Sequence, residues 1–187
     1  MRGLRNALPP AACGQRSTRI SARLSSLEPI ATAARAALFW PIERRHEVDL
    51  RTLDAALRER GVRVAYPRVV SETGGMTFHF VEDPETMEES MAYGVELRQP
   101  AQGEPSVPPG ELDVVVVPAL AVDPSGHRIG YGAGCYDTIL PQFVPPAVSV
   151  AVAFDFQLIA EVPFTPLDIR VDFVVTDERT LKATGPR

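Results

Sequence analysis

The sequence predicts an α/β fold: three layers, with a mixed and mostly parallel sheet between helices on both faces. Two patterns support this reading. The runs at residues 114–117 and 148–153 are continuously apolar rather than alternating, as strands covered on both faces tend to be. In addition, an apolar run at 36–40, helical spacing at 49–60 and a β-branched run at 62–66 form a strand–helix–strand unit, the building block of a parallel, Rossmann-like sheet. A length of 187 residues with 45% apolar content suits one domain, residues 1–187, around a single core.

Each element has its own justification. Within residues 18–27, Ile20, Leu24 and Leu27 recur at helical spacing, and Pro29 ends or restarts the helix. The apolar run at 36–40 stops at Pro41. Residues 49–60 place Leu50, Leu53 and Leu57 on one helix face, with Asp49 as N-cap and Gly61 as the C-terminal stop. Further strands are expected at 62–66, 76–80, 113–117, 148–154 and 171–176, all enriched in β-branched or aromatic residues. Residues 98–111 hold four prolines and two glycines and read as a surface connection.

Charge and cysteine usage narrow the function. A net charge of −5 argues against a nucleic-acid partner, which calls for an extended basic field. An anionic ligand must therefore be held locally. Because Lys182 is the only lysine, guanidinium forks and backbone N–H groups have to supply that hold. Cys13 and Cys135 form no C-x-x-C pair, and His46, His79 and His127 have no ligand spacing. A reducing cytoplasm is expected, without a zinc site or disulfide framework. No run reaches transmembrane length, so no membrane partner is expected. Residues 1–35 carry Glu28 as their sole acid among Arg, Ser and Ala; that composition overlaps a transit peptide, and a folded helix at 18–27 explains the same residues.

The chemistry concentrates in residues 113–140, where a buried strand runs into a proline-terminated loop and then a glycine series, Gly126, Gly130, Gly132 and Gly134, ahead of a helix. Glycines let successive backbone N–H groups converge on a phosphate, with a helix N-terminus adding partial positive charge. Arg128 supplies formal charge. The pattern is neither G-x-x-x-x-G-K-[ST] nor G-x-G-x-x-G, and a tight structural turn explains the glycines equally well. The location favours a ligand, because α/β sheets bind beyond the carboxyl ends of their strands. Asp137 offers either a Mg2+-binding carboxylate or a helix-capping acid.

Val117-Pro118-Ala119-Leu120-Ala121-Val122-Asp123, followed by Gly126-His127-Arg128-Ile129-Gly130-Tyr131-Gly132-Ala133-Gly134-Cys135-Tyr136-Asp137, resembles the 5-formyltetrahydrofolate cyclo-ligase family, whose hallmark is V-P-G-L-A-F-D-x-x-G-x-R-L-G-x-G-x-G-Y-Y-D. The resemblance extends through Phe39-Trp40-Pro41-Ile42, Glu47-Val48-Asp49, Tyr66-Pro67-Arg68-Val69, Ala153-Phe154-Asp155-Phe156-Gln157 and Asp168-Ile169-Arg170-Val171-Asp172. It implies an ATP- and Mg2+-dependent closure of 5-formyltetrahydrofolate to 5,10-methenyltetrahydrofolate, acting on a small-molecule folate, and a monomer is expected. By this likeness Arg5, Arg128, Gly130, Gly132, Gly134 and Tyr136 hold the nucleotide, with Arg128 and Tyr136 acting in catalysis. Asp137 and Asp168 position Mg2+, and Trp40 and Glu47 face the folate. The bland readings make Trp40 a core residue at a strand end, Glu47 a cap for the helix near Asp49, and Asp168 a loop acid.

Three of the chain's departures from the family pattern fall at expected contacts. The opening K-x-x-L-R is Met1-Arg2-Gly3-Leu4-Arg5, which keeps Arg5 without the lysine. The basic residue often found after the first glycine of G-x-G-x-G is Tyr131, and the first tyrosine of Y-Y-D is Cys135. These departures carry a second reading, a catalytically impaired or redirected paralogue that binds a folate or nucleotide.

Overall fold

The computed structural model describes residues 1–70 and 75–184. Three helices open the chain, α1 (Arg2–Asn6), α2 (Pro10–Ser25) and α3 (Glu28–Ala31), followed by strand β1 (Arg35–Ala37). Helix α4 (Arg51–Glu59) leads to β2 (Arg63–Val69) and β3 (Met76–Phe80), and then to a separate hairpin, β4 (Glu88–Ala92) and β5 (Val95–Gln99). The second half holds β6 (Val114–Pro118), the short hairpin β7 (Ala121–Val122) and β8 (Arg128–Ile129), α5 (Cys135–Ile139), β9 (Val148–Val152), β10 (Phe173–Val175) and β11 (Thr180–Lys182).

The main sheet has the order β11-β10-β9-β6-β1-β2-β3. Its neighbours from β10 through β2 pair in parallel, while β11 and β3 close the two edges antiparallel. The continuous valines of β6 explain its central place. Val114 and Val116 enter the core beneath α2 and α4 with Ile20, Leu24, Leu53 and Leu57. Val115 and Val117 enter the opposite core with Ile139, Leu140 and Phe143. Successive side chains on a strand point to opposite faces, so both sets must be apolar. The expected sandwich with a mixed, mostly parallel sheet is the observed fold.

Two helix boundaries differ from the sequence reading. Helix α2 starts at Pro10, well before residue 18, and carries proline in its first turn, where the missing N–H costs nothing. Its buried stripe runs through Cys13, Ser17, Ile20, Ser21 and Leu24, and the two serines hid the apolar period. In α4 the N-cap is Leu50 rather than Asp49. The Asp49 Oδ1 accepts the Arg51 N–H at 3.0 Å from just outside the helix, while Leu50 is buried in the core. Gly61 ends the segment as expected, with φ of +78°. Residues 98–111 begin inside β5 rather than as a connection. The β4–β5 hairpin escaped the sequence reading because its strands, EESMA and VELRQ, lack a buried apolar run.

Candidate functional site

From β1 the chain crosses to β2 on one side, while β6 lies on the other side of β1. The strand order therefore reverses between β1 and β6, and the crevice beyond their carboxyl ends is where such sheets bind ligands. A cleft of about 830 Å³ opens there, within the range of small-molecule sites. Phe39 and Trp40 wall it beyond β1, and Pro118 ends β6 at its floor. The loop from Gly130 to Asp137, the hairpin residues Tyr93, Val95 and Leu97, and Asp168 complete it.

The glycine series divides into two parts. Gly126 belongs to the β7–β8 turn, where its N–H bonds the Asp123 carbonyl at 3.0 Å. Its φ is +89°, and a Cβ there would strike the Val171 carbonyl oxygen. Gly130, Gly132 and Gly134 instead border the cleft, and a Cβ at any of them would meet no protein atom within 4 Å. Gly132 and Gly134 need glycine for their φ values of +97° and +66°, whereas Gly130 has no such requirement. Gly134 is the N-cap of α5.

Arg128, Asp137 and Asp168 all line the cleft. The Arg128 side chain is only 5% exposed and donates to Asp137 Oδ1 at 2.8 Å and to the Ile169 carbonyl. The Ile169 N–H donates to the same Asp137 oxygen at 3.0 Å. Asp137 thus fastens the 168–170 loop to α5 as well as facing the cleft. Asp168 accepts from the Thr165 N–H at 2.6 Å and hydroxyl at 2.8 Å, which hold its carboxyl below the ordinary range. Among the described residues no group of three or more His, Cys, Asp or Glu is gathered for a metal. Two carboxylates, Asp137 and Asp168, nevertheless line the cleft with the glycine loop, a donor set that fits Mg2+, which usually takes one or two carboxylates together with substrate phosphates and water.

Glu47 faces the cleft from the segment before α4 and is 7% exposed. Its Oε2 accepts the Ile42 N–H at 2.9 Å, so it turns back toward β1 instead of capping α4. Burial raises its pKa, against the lowering effects of the Ile42 and Tyr131 donors and of Arg5 and Arg45. Trp40 both packs on the core and lines the cleft. Its ring meets core residue Tyr66 edge-on at 5.9 Å, while the Arg98 and Arg51 guanidiniums lie 5.2 and 5.8 Å from its centroid. Tyr136 packs against the core and lines the cleft; burial and then Glu47 raise its phenol pKa.

Arg5 is not a cleft residue. It is 2% exposed, lies behind the cleft wall and donates to the Tyr131 hydroxyl. Tyr131, where the family pattern often has a base, is instead ringed by arginines, with Arg45, Arg2 and Arg5 at 4.1, 5.4 and 5.6 Å from its centroid. Cys135 contacts the Tyr93 hydroxyl at 3.0 Å. Sequence reasoning assigned no role to Arg45, Tyr93 or Asp123. Tyr93 sits in a two-residue turn with φ of +51°, a position that favours Asn, Asp or Gly, so Tyr-Gly gave only a weak turn signal. Asp123 is buried and accepts the Ser125, His127 and Val162 N–H groups at 2.8, 3.1 and 2.9 Å. It locks the β7–β8 turn to the 162–164 segment beside the cleft.

The fold and cleft together define an α/β protein with a cleft of small-molecule size at the switch point of its sheet. Residues 1–177 match the family model described as the 5-formyltetrahydrofolate cyclo-ligase family. The chain belongs to that family, a family of ATP-using ligases. It is 36% identical over 128 residues to the 5-formyltetrahydrofolate cyclo-ligase of Mycolicibacterium smegmatis, covering 68% of this chain and 66% of that protein. With the Escherichia coli K12 enzyme of the same name it shares 27% identity over 181 residues, covering 96% and 97%. The solved 5,10-methenyltetrahydrofolate synthetase of Aquifex aeolicus superposes with a TM-score of 0.81 at 28% identity, covering 99% of this chain and 90% of that one. The activity that goes with this membership is 5-formyltetrahydrofolate cyclo-ligase activity. Among the described residues no helix is long and apolar enough to cross a membrane.

Proposed function

We propose that the chain uses Mg-ATP to phosphorylate the formyl oxygen of 5-formyltetrahydrofolate, releasing ADP, after which N10 attacks the activated carbon and phosphate leaves to give 5,10-methenyltetrahydrofolate. The observation that carries this reading is one cleft, at the sheet's switch point, that gathers Gly130–Asp137, Asp168, Glu47 and Trp40. Phosphoryl transfer needs little covalent chemistry from a protein; it needs position and neutralised charge.

The backbone of Gly130, Gly132 and Gly134 receives the phosphates, with Arg128 anchored beside it. Asp137 and Asp168 hold Mg2+, which neutralises phosphate charge when bound. Tyr136 donates a proton-bearing hydroxyl to the reacting end of the cleft. Trp40 gives the pterin a flat wall, and Glu47 accepts from the pterin's N–H groups. Arg5 acts one step back, holding Tyr131 in place. The working form is a monomer in a reducing cytoplasm.

The direct test is the absorbance of 5,10-methenyltetrahydrofolate formed from 5-formyltetrahydrofolate at a pH where spontaneous closure is negligible. Product is expected only with both ATP and Mg2+, and chelation by EDTA should remove it. ATP-independent product, or none from folded protein beside an active relative, rejects the reading.

A further inference from the structure

We propose that Arg45, seated on Tyr131 with Arg2 beside it, is the cation that grips the ATP triphosphate in this chain, in place of a basic residue carried by the glycine loop. The inference rests on the cyclo-ligase reading for the identity of the nucleotide, but its geometry is independent of that reading.

The charges lining the cleft single out Arg45 and Arg2. Four arginines and three acids border the cleft. Two of the arginines already have carboxylate partners, Arg98 with Glu85 at 3.1 Å and Arg128 with Asp137 at 2.8 Å. Among the described residues neither Arg2 nor Arg45 forms an ion pair, and no side-chain hydrogen bond ties either guanidinium. Glu47 feels Arg45 through space, but its hydrogen bonding goes to Ile42 and Tyr131. A guanidinium with uncommitted donors in a cleft is suited to a multivalent oxyanion.

The placement of Arg45 is built in. It ends the 3-10 turn Glu43–Arg45, which His46 terminates in the left-handed region with φ of +48°, a conformation costly for a non-glycine residue and retained when the surroundings require it. The His46 ring contacts the Arg5 carbonyl at 3.3 Å, which joins this turn to α1. Arg5 in turn holds the Tyr131 hydroxyl. The Tyr131 ring, fixed at its hydroxyl end, carries the Arg45 guanidinium 4.1 Å from its centroid, in the cation–π range. Tyr131 lies between Gly130 and Gly132. The cation therefore sits beside the glycine backbone, away from the Trp40 wall where Arg98 and Arg51 gather. That position favours phosphate over the carboxylates of a folate tail.

The experiment measures calorimetric affinities for ATP and for inorganic tripolyphosphate, and steady-state KM values for ATP and for 5-formyltetrahydrofolate. It uses wild type, Arg45→Ala, Arg45→Lys and the double variant Arg45→Ala/Tyr131→Arg, with thermal melts confirming that each is folded. Arg45→Ala should weaken both phosphate ligands by roughly 10- to 100-fold, the usual result of losing charge-assisted bonds, and leave the folate KM within about twofold. Lysine should restore part of the loss, and Tyr131→Arg should restore ATP binding by returning the charge to the loop. Unchanged ATP and tripolyphosphate affinity in Arg45→Ala overturns the proposal, as does a rise in folate KM alone, which would assign the cation to the folate tail. Arg45-dependent tripolyphosphate binding in a protein that does not cyclise folate keeps this inference and rejects the cyclo-ligase mechanism. Normal cyclisation with an indifferent Arg45 does the reverse.

Discussion

Gly126 and Gly130 stand four residues apart in one motif and are glycine for opposite reasons. At Gly126 the protein itself forbids a side chain, because a Cβ would run into the Val171 carbonyl and come within 2.9 Å of the Ala183 Cβ. At Gly130 the backbone has ordinary φ and open space, so nothing in the fold requires glycine. Gly130 borders the cleft, so under the proposed function its bare backbone serves the approach of a phosphate. A glycine-rich motif in an α/β protein thus mixes positions answerable to the fold with positions answerable to a ligand, and the sequence pattern alone does not sort them.

The largest expected effect comes from Gly126→Ala. Adding the strain of a left-handed alanine to the steric conflict costs roughly 3–5 kcal/mol, a fall in Tm on the order of 10 °C for a chain of this size. A melt within about 2 °C of wild type would break the distinction at its structural end.

Asp137 falls between the two classes. From sequence it is either a helix-capping acid or, by the family likeness, a Mg2+ ligand. In the structure it also partners an Arg128 side chain that is 5% exposed and receives the Ile169 N–H. Removing one partner of a buried pair leaves an uncompensated charge, tempered here because the Asp137 side chain is 28% exposed. Asp137→Asn should lower stability by about 1–3 kcal/mol in a urea titration and reduce turnover by at least about 100-fold. Loss of turnover with unchanged stability would restore the purely catalytic reading.

Gly130→Ala tests the ligand end. The melt should stay within about 1 kcal/mol of wild type, because the new methyl meets no protein atom and exposed changes of this kind are small. The ATP KM should rise on the order of 10-fold, the equivalent of one lost or displaced phosphate contact. A destabilised protein with normal ATP KM would mean that Gly130 belongs with Gly126.

The same division explains how much was legible in advance. The sheet was readable because Val114–Val117 must satisfy two cores at once, leaving a continuous apolar run. The glycine loop, Asp137, Trp40 and Glu47 were readable through the family pattern, and the cleft does gather them. The burial of Arg5 was not legible, because a motif match fixes a position in sequence while saying nothing of which way the guanidinium turns; it donates to the Tyr131 hydroxyl. Arg45 was invisible because its proposed role comes from packing on Tyr131, 86 residues later by numbering, and nothing in the sequence around Arg45 marks it. The β4–β5 hairpin was missed because it leans on the rest of the molecule through few buried side chains, so its strands show no apolar face.

Glu47 sharpens the comparison from the ligand side, with the smallest expected effect. A carboxyl that the fold does not need but a substrate does should be a burden to the empty protein. Burial lifts its pKa above the ordinary carboxylate value, so between the unfolded value of about 4.3 and the raised folded value the native state binds more protons than the unfolded chain. Stability from this group is therefore fully present below that window and is lost as pH rises through the folded pKa. Glu47→Gln keeps an oxygen acceptor for the Ile42 N–H and removes the buried charge. At pH 7 the variant should be more stable by about 0.5–2 kcal/mol, as replacements of functionally strained groups often are, with a flatter stability profile above pH 4 and a weakened folate KM. A variant less stable than wild type at pH 7 would show that the carboxylate is held by Arg5, Arg45 and Tyr131 as part of the fold, and Glu47 would then join Gly126 among the residues the protein keeps for itself.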